Sequence, residues 1–285
     1  MPARPRILLT NDDGVYAPGL VALACVLHEV AEVRVVAPDR PRSAAGHAIT
    51  LHKPLRMEPA TLRQYAQYGI PAFGTTGTPA DCVILGTYEV YGGELPDLCV
   101  SGINSGPNVG DDVTYSGTIA AAMEASLMGV PAIAASMGWF GEYFHYWDAA
   151  RALRMIVEHW GGHPPTRGTL WNVNLPNVPL PQYRGFQFTR LGQRTFKDVL
   201  DKRIDPKGHP YWWIAGEKYE DDRLEGTDTH ALRQNYVSIT PIDMDMTAHE
   251  QLPELRPHSE LITDGLPAVQ ASWESPGPEA GQVPY

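Results

Sequence analysis

Short apolar runs alternate with stretches of helical periodicity along the first half of the chain. The first run, Arg6 to Thr10, predicts a buried strand, and Ala17 to Val30 predicts a helix with Pro18 near its start. A second apolar run, Val33 to Val36, follows that helix. The order strand, helix, strand indicates a parallel, right-handed crossover and therefore an α/β fold with a mainly parallel sheet.

The same alternation continues to about residue 140. The stretch Ile49 to Met57 alternates between polar and apolar residues and predicts an extended excursion from the sheet. Thr78 is a typical N-cap in front of a proline, so it predicts the start of a helix. Predicted strands at Pro71–Phe73, Leu98–Val100 and Ala132–Ala135 therefore alternate with predicted helices at Pro79–Gly86 and Thr118–Met128.

After Trp139 the predicted elements are mainly strands. Ala149 to Trp160 predicts an amphipathic helix, and from about Pro267 the chain is rich in Pro, Gly and Glu, which is typical of a poorly ordered tail. The apolar runs that predict strands are Leu170–Leu175, Phe186–Leu191, Tyr211–Ala215 and Tyr236–Thr240. We expect a core at 1–140, its continuation and a β-rich extension at 141–250, and a partly disordered tail at 251–285.

Charge and composition exclude several kinds of partner. The chain has 22 basic and 33 acidic residues and a net charge of −11, so it lacks the basic surface that a nucleic-acid polymer requires. Cys25, Cys82 and Cys99 lie in apolar runs without a CxxC pair, which predicts reduced thiols and a cytoplasmic protein. The longest apolar stretch, Ile119 to Phe140, contains a glutamate and a proline, so we predict no membrane span.

A cluster of polar residues follows the first predicted strand. Asn11, Asp12 and Asp13 stand side by side in front of Gly14. Two adjacent carboxylates repel each other, and a bound cation is the usual reason for both to stay ionised. The alternative is a solvent-exposed Asp-Gly turn, which is common after strands.

Two further polar loops follow parallel strands and reach the same edge of the sheet. Their candidate ligand atoms are oxygens, which suit magnesium, manganese or calcium better than zinc. The start of the following helix predicts a seat for phosphate, so the edge is typical of metal-assisted phosphate chemistry. The second loop carries Arg40, Arg42 and Ser43, and the third carries Asn104, Ser105, Ser116, Gly117 and Thr118.

These side chains also have purely structural alternatives. Helix capping accounts for Ser43 and Ser116, and hydrogen bonds to the local backbone account for Asn104. The two arginines of the second loop are then ordinary solvent-exposed residues. A second acidic pair, Asp111 and Asp112, lies in the middle of the third loop, and we predict that it faces solvent.

Six segments of the chain resemble the SurE family, the survival-protein nucleotidases. They are TNDDG, APDRPRSAAGHAIT, GTPADCV, VSGINSGPNVGDDVTYSGTIAAAMEA, WNVNLP and TDTHA followed by NYVSITP, and they occur in the expected order between about Ile7 and Ile242. The resemblance implies a Rossmann-like three-layer sandwich with a β-rich C-terminal extension. Such extensions exchange hairpins between subunits, so Lys218 to Pro241 is expected to join a homodimer or homotetramer.

The resemblance also implies roles for the loop residues. One divalent ion, Mg²⁺ or Mn²⁺, is expected to bind to Asp12, Asp13, Ser43 and Asn104, and both aspartates are therefore expected to be catalytic. The positions near the bound phosphate are Asn11, Ser105, Ser116, Gly117 and Thr118. Asn235 stands where relatives often have glycine, and we expect little effect because asparagine tolerates positive φ.

The activity implied by the resemblance is hydrolysis of nucleoside 5′-monophosphates to nucleoside and phosphate, with 3′-monophosphates and polyphosphate ends as further substrates. One alternative is a phosphatase with an aspartyl-phosphate intermediate, which the adjacent spacing of Asp12 and Asp13 disfavours. Another is a non-catalytic nucleotide-binding protein, which the fold alone does not separate from an enzyme. A dinucleotide site is disfavoured because no GxGxxG follows the first strand. His47 is either a proton donor or a structural residue.

Overall fold

The computed structural model describes residues 4–43, 46–139, 141, 143–159, 164–196, 199–215, 219–221 and 224–271. The chain divides into two compact units, Met1–Met244 and Asp245–Tyr285. The strands are β1 Arg6–Thr10, β2 Glu32–Pro38, β3 Met57–Pro59, β4 Ala72–Thr75, β5 Leu98–Asn104, β6 Ala132–Met137, β7 Thr169–Leu175, β8 Gly185–Phe188, β9 Arg194–Phe196, β10 Val199–Ile204, β11 Pro210–Ala215, β12 Tyr219–Asp221 and β13 Tyr236–Asp243. In the described part of the chain, no helix combines the length and the apolar character needed to cross a membrane.

The helices are α1 Pro18–His28, α2 Arg63–Tyr68, α3 Pro79–Leu85, α4 Gly117–Leu127, α5 Tyr146–His159, α6 Asp228–Arg233, α7 Leu252–Leu255 and α8 His258–Ala271. Short 3₁₀ turns lie at Gly110–Thr114 and Leu180–Gln182, and a π turn at Gly86–Val90 follows α3. Helix α3 begins where the sequence predicts. The Thr78 hydroxyl accepts the N–H of Asp81 at 3.1 Å, and the Asp81 carboxylate accepts the N–H of Thr78 at 2.8 Å.

A nine-stranded sheet in the order β3-β4-β2-β1-β5-β6-β7-β13-β8 forms the centre of the first unit. Strands β4, β2, β1, β5, β6 and β7 pair in parallel, whereas β3 and β13 pair antiparallel with β4 and β7. The chain moves outward from β1 to β2 and β4, and then crosses to β5 on the other side of β1. The switch in strand order therefore lies at the carboxyl ends of β1 and β5, where α/β sheets bind ligands.

Two apolar cores make the sheet the middle of three layers. Helices α1, α2 and α5 cover one face, and the fully buried residues Leu23 and Leu27 of α1 lie in that core. Burial of such leucines stabilises the fold by about 1.5–3 kcal/mol each. Helices α3 and α4 cover the other face, where small residues of α4, such as Ala121 and Ala122, lie in the core. The predicted α/β sandwich with a mainly parallel sheet is confirmed.

Several elements differ from their predicted form. Helix α1 ends at His28 rather than Val30, because Glu29 and Val30 belong to the turn into β2. The stretch Ile49–Met57 has no strand before β3, since it is held by side chains instead: the Asp81 carboxylate accepts the N–H of Thr50 at 2.9 Å and its hydroxyl at 2.6 Å.

The described part of the chain contains more helix than its pattern indicates. The strand predicted at Phe186–Leu191 ends at Phe188 in β8, and the sequence predicts neither α2 nor α6. Helix α8 continues through Pro267 to Ala271, into the stretch that the sequence predicts as a poorly ordered tail. Residue 160 and residues 272–285 lie outside the described part. Asn235 has a φ of 59°, as expected for a position that often carries glycine.

Candidate active site

The three polar loops meet at the carboxyl ends of β1, β2 and β5. The backbone N–H of Arg42 in the second loop donates to the Asp12 carbonyl at 2.7 Å. The third loop reaches the first through Ser105, which donates to the Asp13 carboxylate. The N–H of Gly46 donates to the Tyr115 carbonyl at 3.3 Å and thereby joins the second loop to the third. The predicted convergence of the loops is thus present in one chain.

Asn11 shapes the first of these loops. Its side chain is fully buried, its amide nitrogen donates to the Gly14 carbonyl at 3.1 Å, and its amide oxygen accepts the Gly14 N–H at 3.0 Å. Both ends of the amide are therefore used to close the turn that presents Asp12 and Asp13. Contact between this side chain and a phosphate stays a prediction.

Asp12 is the buried carboxylate of the pair, with a relative exposure of 6%. Its Oδ1 accepts the hydroxyl of Thr118 at 2.6 Å. Burial raises the pKa of Asp12 to about 6, the Thr118 hydrogen bond lowers it, and the charge of Asp13 raises it. Gly117 packs against this side chain so closely that a Cβ there would lie 2.9 Å from the Cβ of Asp12. A side chain at position 117 would therefore displace either Asp12 or the start of α4.

Asp13 is held from the opposite side of the edge. Its Oδ2 accepts the N–H of Ser105 at 3.2 Å and the hydroxyl of Ser105 at 3.1 Å. The Ser105 hydroxyl is in turn 2.8 Å from the hydroxyl of Tyr146, whose ring stacks on Phe144 with 5.2 Å between centroids. Burial raises the pKa of Tyr146, so it remains a neutral donor. Tyr146 is not among the predicted site residues, because no polar motif surrounds it and it precedes the predicted start of the amphipathic helix at Ala149.

The remaining oxygen donors lie on the second and third loops. The amide nitrogen of Asn104 donates to the Gly106 carbonyl at 2.8 Å, so the amide oxygen is the end left for a ligand. Ser43 is exposed and directly follows Arg42, whose N–H contacts Asp12. Both residues therefore lie next to segments that contact the aspartate pair.

The basic side chains near this edge contact groups other than the aspartate pair. The Arg42 guanidinium donates to the Thr76 carbonyl at 2.9 Å, and Arg40 lies 3.6 Å from Asp39. His47 Nε2 is 2.8 Å from a Glu124 carboxylate oxygen, which favours the structural interpretation of this histidine. Among the described residues, none of the ion pairs with Lys, Arg or His includes the aspartate pair of the first loop.

The donor set fits a hard divalent cation. Two neighbouring carboxylates without a basic partner leave negative charge that a cation would offset. Within the described ranges no three His, Cys, Asp or Glu side chains cluster as a metal site, so a cation here would also need hydroxyl, amide or water oxygens. Such an oxygen-rich set is typical of Mg²⁺ or Mn²⁺ rather than zinc.

The start of α4 supplies the other half of the edge. The Ser116 hydroxyl accepts the N–H of Ile119 at 3.2 Å, so the capping interpretation of Ser116 is correct. Thr118 is fully buried and uses its hydroxyl on Asp12. The positive end of the helix dipole thus lies beside the aspartate pair, where it favours an anion. In the second acidic pair, Asp111 is exposed as predicted, whereas Asp112 is only partly exposed.

Comparison with known proteins places this chain in one family. The model of the family described as "Survival protein SurE" matches residues 7–198. The 5′-nucleotidase SurE of Carboxydothermus hydrogenoformans is 47% identical over 264 residues, which cover 92% of this chain and 98% of that protein. The protein of the same name from Heliobacterium modesticaldum is 45% identical over 251 residues, 88% of this chain and 90% of that protein.

A solved structure agrees with these sequence relatives. The crystal structure of the SurE protein from Aquifex aeolicus matches with a TM-score of 0.78 at 38% identity, and the match covers 90% of this chain and 100% of that one. The family model spans more than half of the 285 residues. This chain therefore belongs to the SurE family.

Proposed function

We propose that this chain is a metal-dependent 5′-nucleotidase that hydrolyses nucleoside 5′-monophosphates to nucleoside and phosphate. The observation that carries the proposal is the aspartate pair, which has no basic partner among the described residues and lies beside the N-terminus of α4. Relatives named 5′-nucleotidase SurE, at 45–47% identity, support the same activity. We infer 3′-monophosphates and polyphosphate ends as further substrates from the family resemblance.

Asp12, Asp13, Ser43 and Asn104 are the residues that would hold one Mg²⁺ or Mn²⁺. When bound, such an ion would withdraw charge from a phosphoryl group and lower the pKa of water. The hydrogen bonds from Thr118 and Ser105 support this assignment, because each fixes the orientation of one aspartate carboxylate at this edge.

The chain's own residues would orient the phosphate. The first turn of α4 offers backbone N–H groups and a positive dipole end, which suit the phosphate oxygens that do not meet the metal. Ser105 is the second candidate contact, because its position next to Asp13 brings its backbone to the same edge. Preorganised donors of this kind contribute most when charge develops in the transition state.

Assembly and location are part of the proposal. We propose a homodimer or homotetramer, supported by apolar side chains on the β10–β11 hairpin: Leu200, Trp212 and Trp213 are 64%, 53% and 58% exposed. The segment implied by the resemblance, Lys218 to Pro241, includes residues outside the described ranges. A cytoplasmic location is supported by three buried cysteines without a disulfide.

Phosphate release from purified, metal-stripped protein tests the activity. We expect no turnover of AMP in EDTA and recovery on addition of Mn²⁺ or Mg²⁺, with the same protocol applied to 3′-monophosphates and polyphosphate. Full activity in EDTA would contradict metal dependence. Tight nucleotide binding without turnover under all metals would favour the non-catalytic alternative. A phosphorylated aspartate found by mass spectrometry after acid quench would favour the covalent alternative.

A further inference from the structure

A cavity of about 230 Å³ lies beside the candidate active site, at the carboxyl ends of β2 and β4. Val15, Tyr16 and Asp39 line it from the first two loops, and Glu58 and Gly74 line it from β3 and β4. Its volume is below the roughly 300 Å³ at which sites for whole small-molecule ligands begin, so it suits one ring system of a larger ligand. None of these residues has a role in the metal and phosphate site described above.

Two short segments connect this cavity to the aspartate pair. The first loop runs from Asp13 to Tyr16 in three residues, a path of at most about 11 Å. The second loop runs from Asp39 to Arg42, whose N–H donates to the Asp12 carbonyl at 2.7 Å. A ligand whose phosphate lies at the aspartates can therefore reach the cavity through a bridging group the size of a pentose.

The walls of the cavity are held in place by internal hydrogen bonds. The Val15 N–H donates to the Pro38 carbonyl at 2.8 Å, and the hydroxyl of the buried Tyr65 donates to the Val15 carbonyl at 2.8 Å. On the opposite wall, the Thr76 N–H donates to the Arg56 carbonyl at 3.0 Å, and the Thr76 hydroxyl accepts the Arg56 N–H at 3.1 Å. The cavity is thus preformed in the chain.

The space exists because residue 74 has no side chain. Gly74 is the direct cross-strand partner of Glu58, so the two positions share one face of the sheet. A Cβ at position 74 would lie 3.4 Å from Val15 Cγ1 and 3.8 Å from the Cα of Asp39. A branched side chain there would fill the cavity without backbone strain, because Gly74 is not in the positive-φ region.

The chemistry of the walls matches a flat, polar-edged ring. The Tyr16 ring is 52% exposed and has no aromatic partner among the described residues. Arg56 supplies hydrogen-bond donors, and Glu58 supplies acceptors; the described residues include no ion partner for the Arg56 guanidinium. We propose that this cavity binds the nucleobase of the substrate, with Tyr16 stacking on the base and Arg56 and Glu58 facing its polar edge. The inference rests on the proposed nucleotidase function.

Paired substrates with and without a base test the proposal. We compare kcat/KM for each of the four common nucleoside 5′-monophosphates with kcat/KM for glycerol 2-phosphate, which has no base. The ratio of the two values is measured in the wild type and in Gly74→Val, Tyr16→Ala and Tyr16→Phe. Tyr88→Ala, an exposed tyrosine elsewhere, is the matched control. Gly74→Val and Tyr16→Ala should lower the ratio about tenfold through KM, since stacking on an aromatic ring is worth about that factor. Tyr16→Phe and Tyr88→Ala should retain it.

Calorimetric titration with adenosine and guanosine separates this inference from the proposed function, because it needs no turnover. At least one nucleoside should bind the wild type and bind Gly74→Val about tenfold more weakly. An unchanged ratio in folded Gly74→Val and Tyr16→Ala, or nucleoside binding that Gly74→Val leaves intact, would overturn the base site. If the wild type hydrolyses no phosphomonoester, the proposed function fails and the titration alone decides the base site, with absent nucleoside binding counting against it.

Discussion

The loops of the candidate active site and the β10–β11 hairpin differ in whether their side chains have partners within the same chain. In the loops, Asp13 accepts the hydroxyl of Ser105 in the third loop, and Asp12 accepts the hydroxyl of Thr118 at the start of α4. In the hairpin, the backbone pairs from Val199–Ala215 to Ile204–Pro210, yet Ile204 and Trp213 are 68% and 58% exposed. Apolar surface of this kind usually marks an interface. The comparison indicates that the proposed chemistry and the proposed assembly surface belong to separate parts of the first unit.

The largest effect is expected from Asp13→Asn. The substitution removes a negative charge at the proposed metal while it keeps the size of the side chain, so kcat/KM for AMP should fall by at least about 100-fold. The readout is phosphate release at saturating Mn²⁺. Asp111→Asn, an exposed acid of the third loop, is the matched control and should retain activity. Near-normal activity of Asp13→Asn would contradict the metal assignment.

Gly117→Ala should have the next largest effect. The new methyl group would lie 2.9 Å from the Asp12 Cβ and 3.1 Å from its Oδ2, so either the carboxylate or the helix start must shift. A displacement approaching 1 Å costs about 100-fold in rate, and we expect a loss of about 10- to 100-fold in kcat with an unchanged circular dichroism spectrum. Gly265→Ala, a helical glycine with open space around its Cβ position, is the control. Equal activity of the two variants would show that α4 does not position Asp12.

Tyr146→Phe should have a smaller effect, because it removes a hydrogen bond to Ser105 and not a direct contact to Asp13. Loss of the 2.8 Å contact to the Ser105 hydroxyl should weaken Mn²⁺ binding by about 3- to 10-fold, the usual net worth of a hydrogen bond. Calorimetric titration with Mn²⁺ measures this without turnover. Tyr143→Phe changes an exposed hydroxyl on the preceding loop and serves as the comparison. Identical Mn²⁺ affinities for both variants would remove Tyr146 from the site.

Trp213→Ser should have the smallest effect on activity. We expect the substitution to shift the protein toward smaller assemblies, as measured by light scattering during size-exclusion chromatography over a dilution series. Activity per chain should stay within about twofold, because the hairpin lies outside the aspartate site. Tyr88→Ser, at an exposed aromatic position away from the hairpin, should leave the mass unchanged. An unaltered mass for Trp213→Ser would place the interface elsewhere.

Much of the core fold follows from local sequence pattern. Strand β1 matches its predicted bounds, and α3 begins at the predicted Thr78–Pro79 cap, because burial and capping are encoded by neighbouring residues. Helix α2 was not predictable in this way, since Tyr65 is its single buried side chain and provides no periodicity. The antiparallel pairing of β13 with β7 depends on partners more than sixty residues apart, which periodicity does not specify.

In the candidate site, too, features encoded by neighbouring residues were predictable, whereas contacts between residues far apart in the sequence were not. Parallel strand order predicts that the loops carrying Asp13, Ser43 and Asn104 reach one edge. The sequence did not indicate which donors hold each carboxylate: Thr118 on Asp12 and Ser105 on Asp13 are separated from them by about ninety residues or more. Pair contacts of this kind arise from packing, so they become visible only in the folded chain.

Binding of Mn²⁺ to metal-stripped protein tests the central claim most directly, namely that oxygen donors from three loops hold one cation. Calorimetric titrations compare the wild type with three variants. Each variant removes a donor from a different loop: Asp13→Asn, Ser43→Ala and Asn104→Ala. We predict one Mn²⁺ per chain for the wild type and weaker binding for all three variants, each of which remains folded in the absence of metal. Wild-type affinity in all three variants would contradict the account.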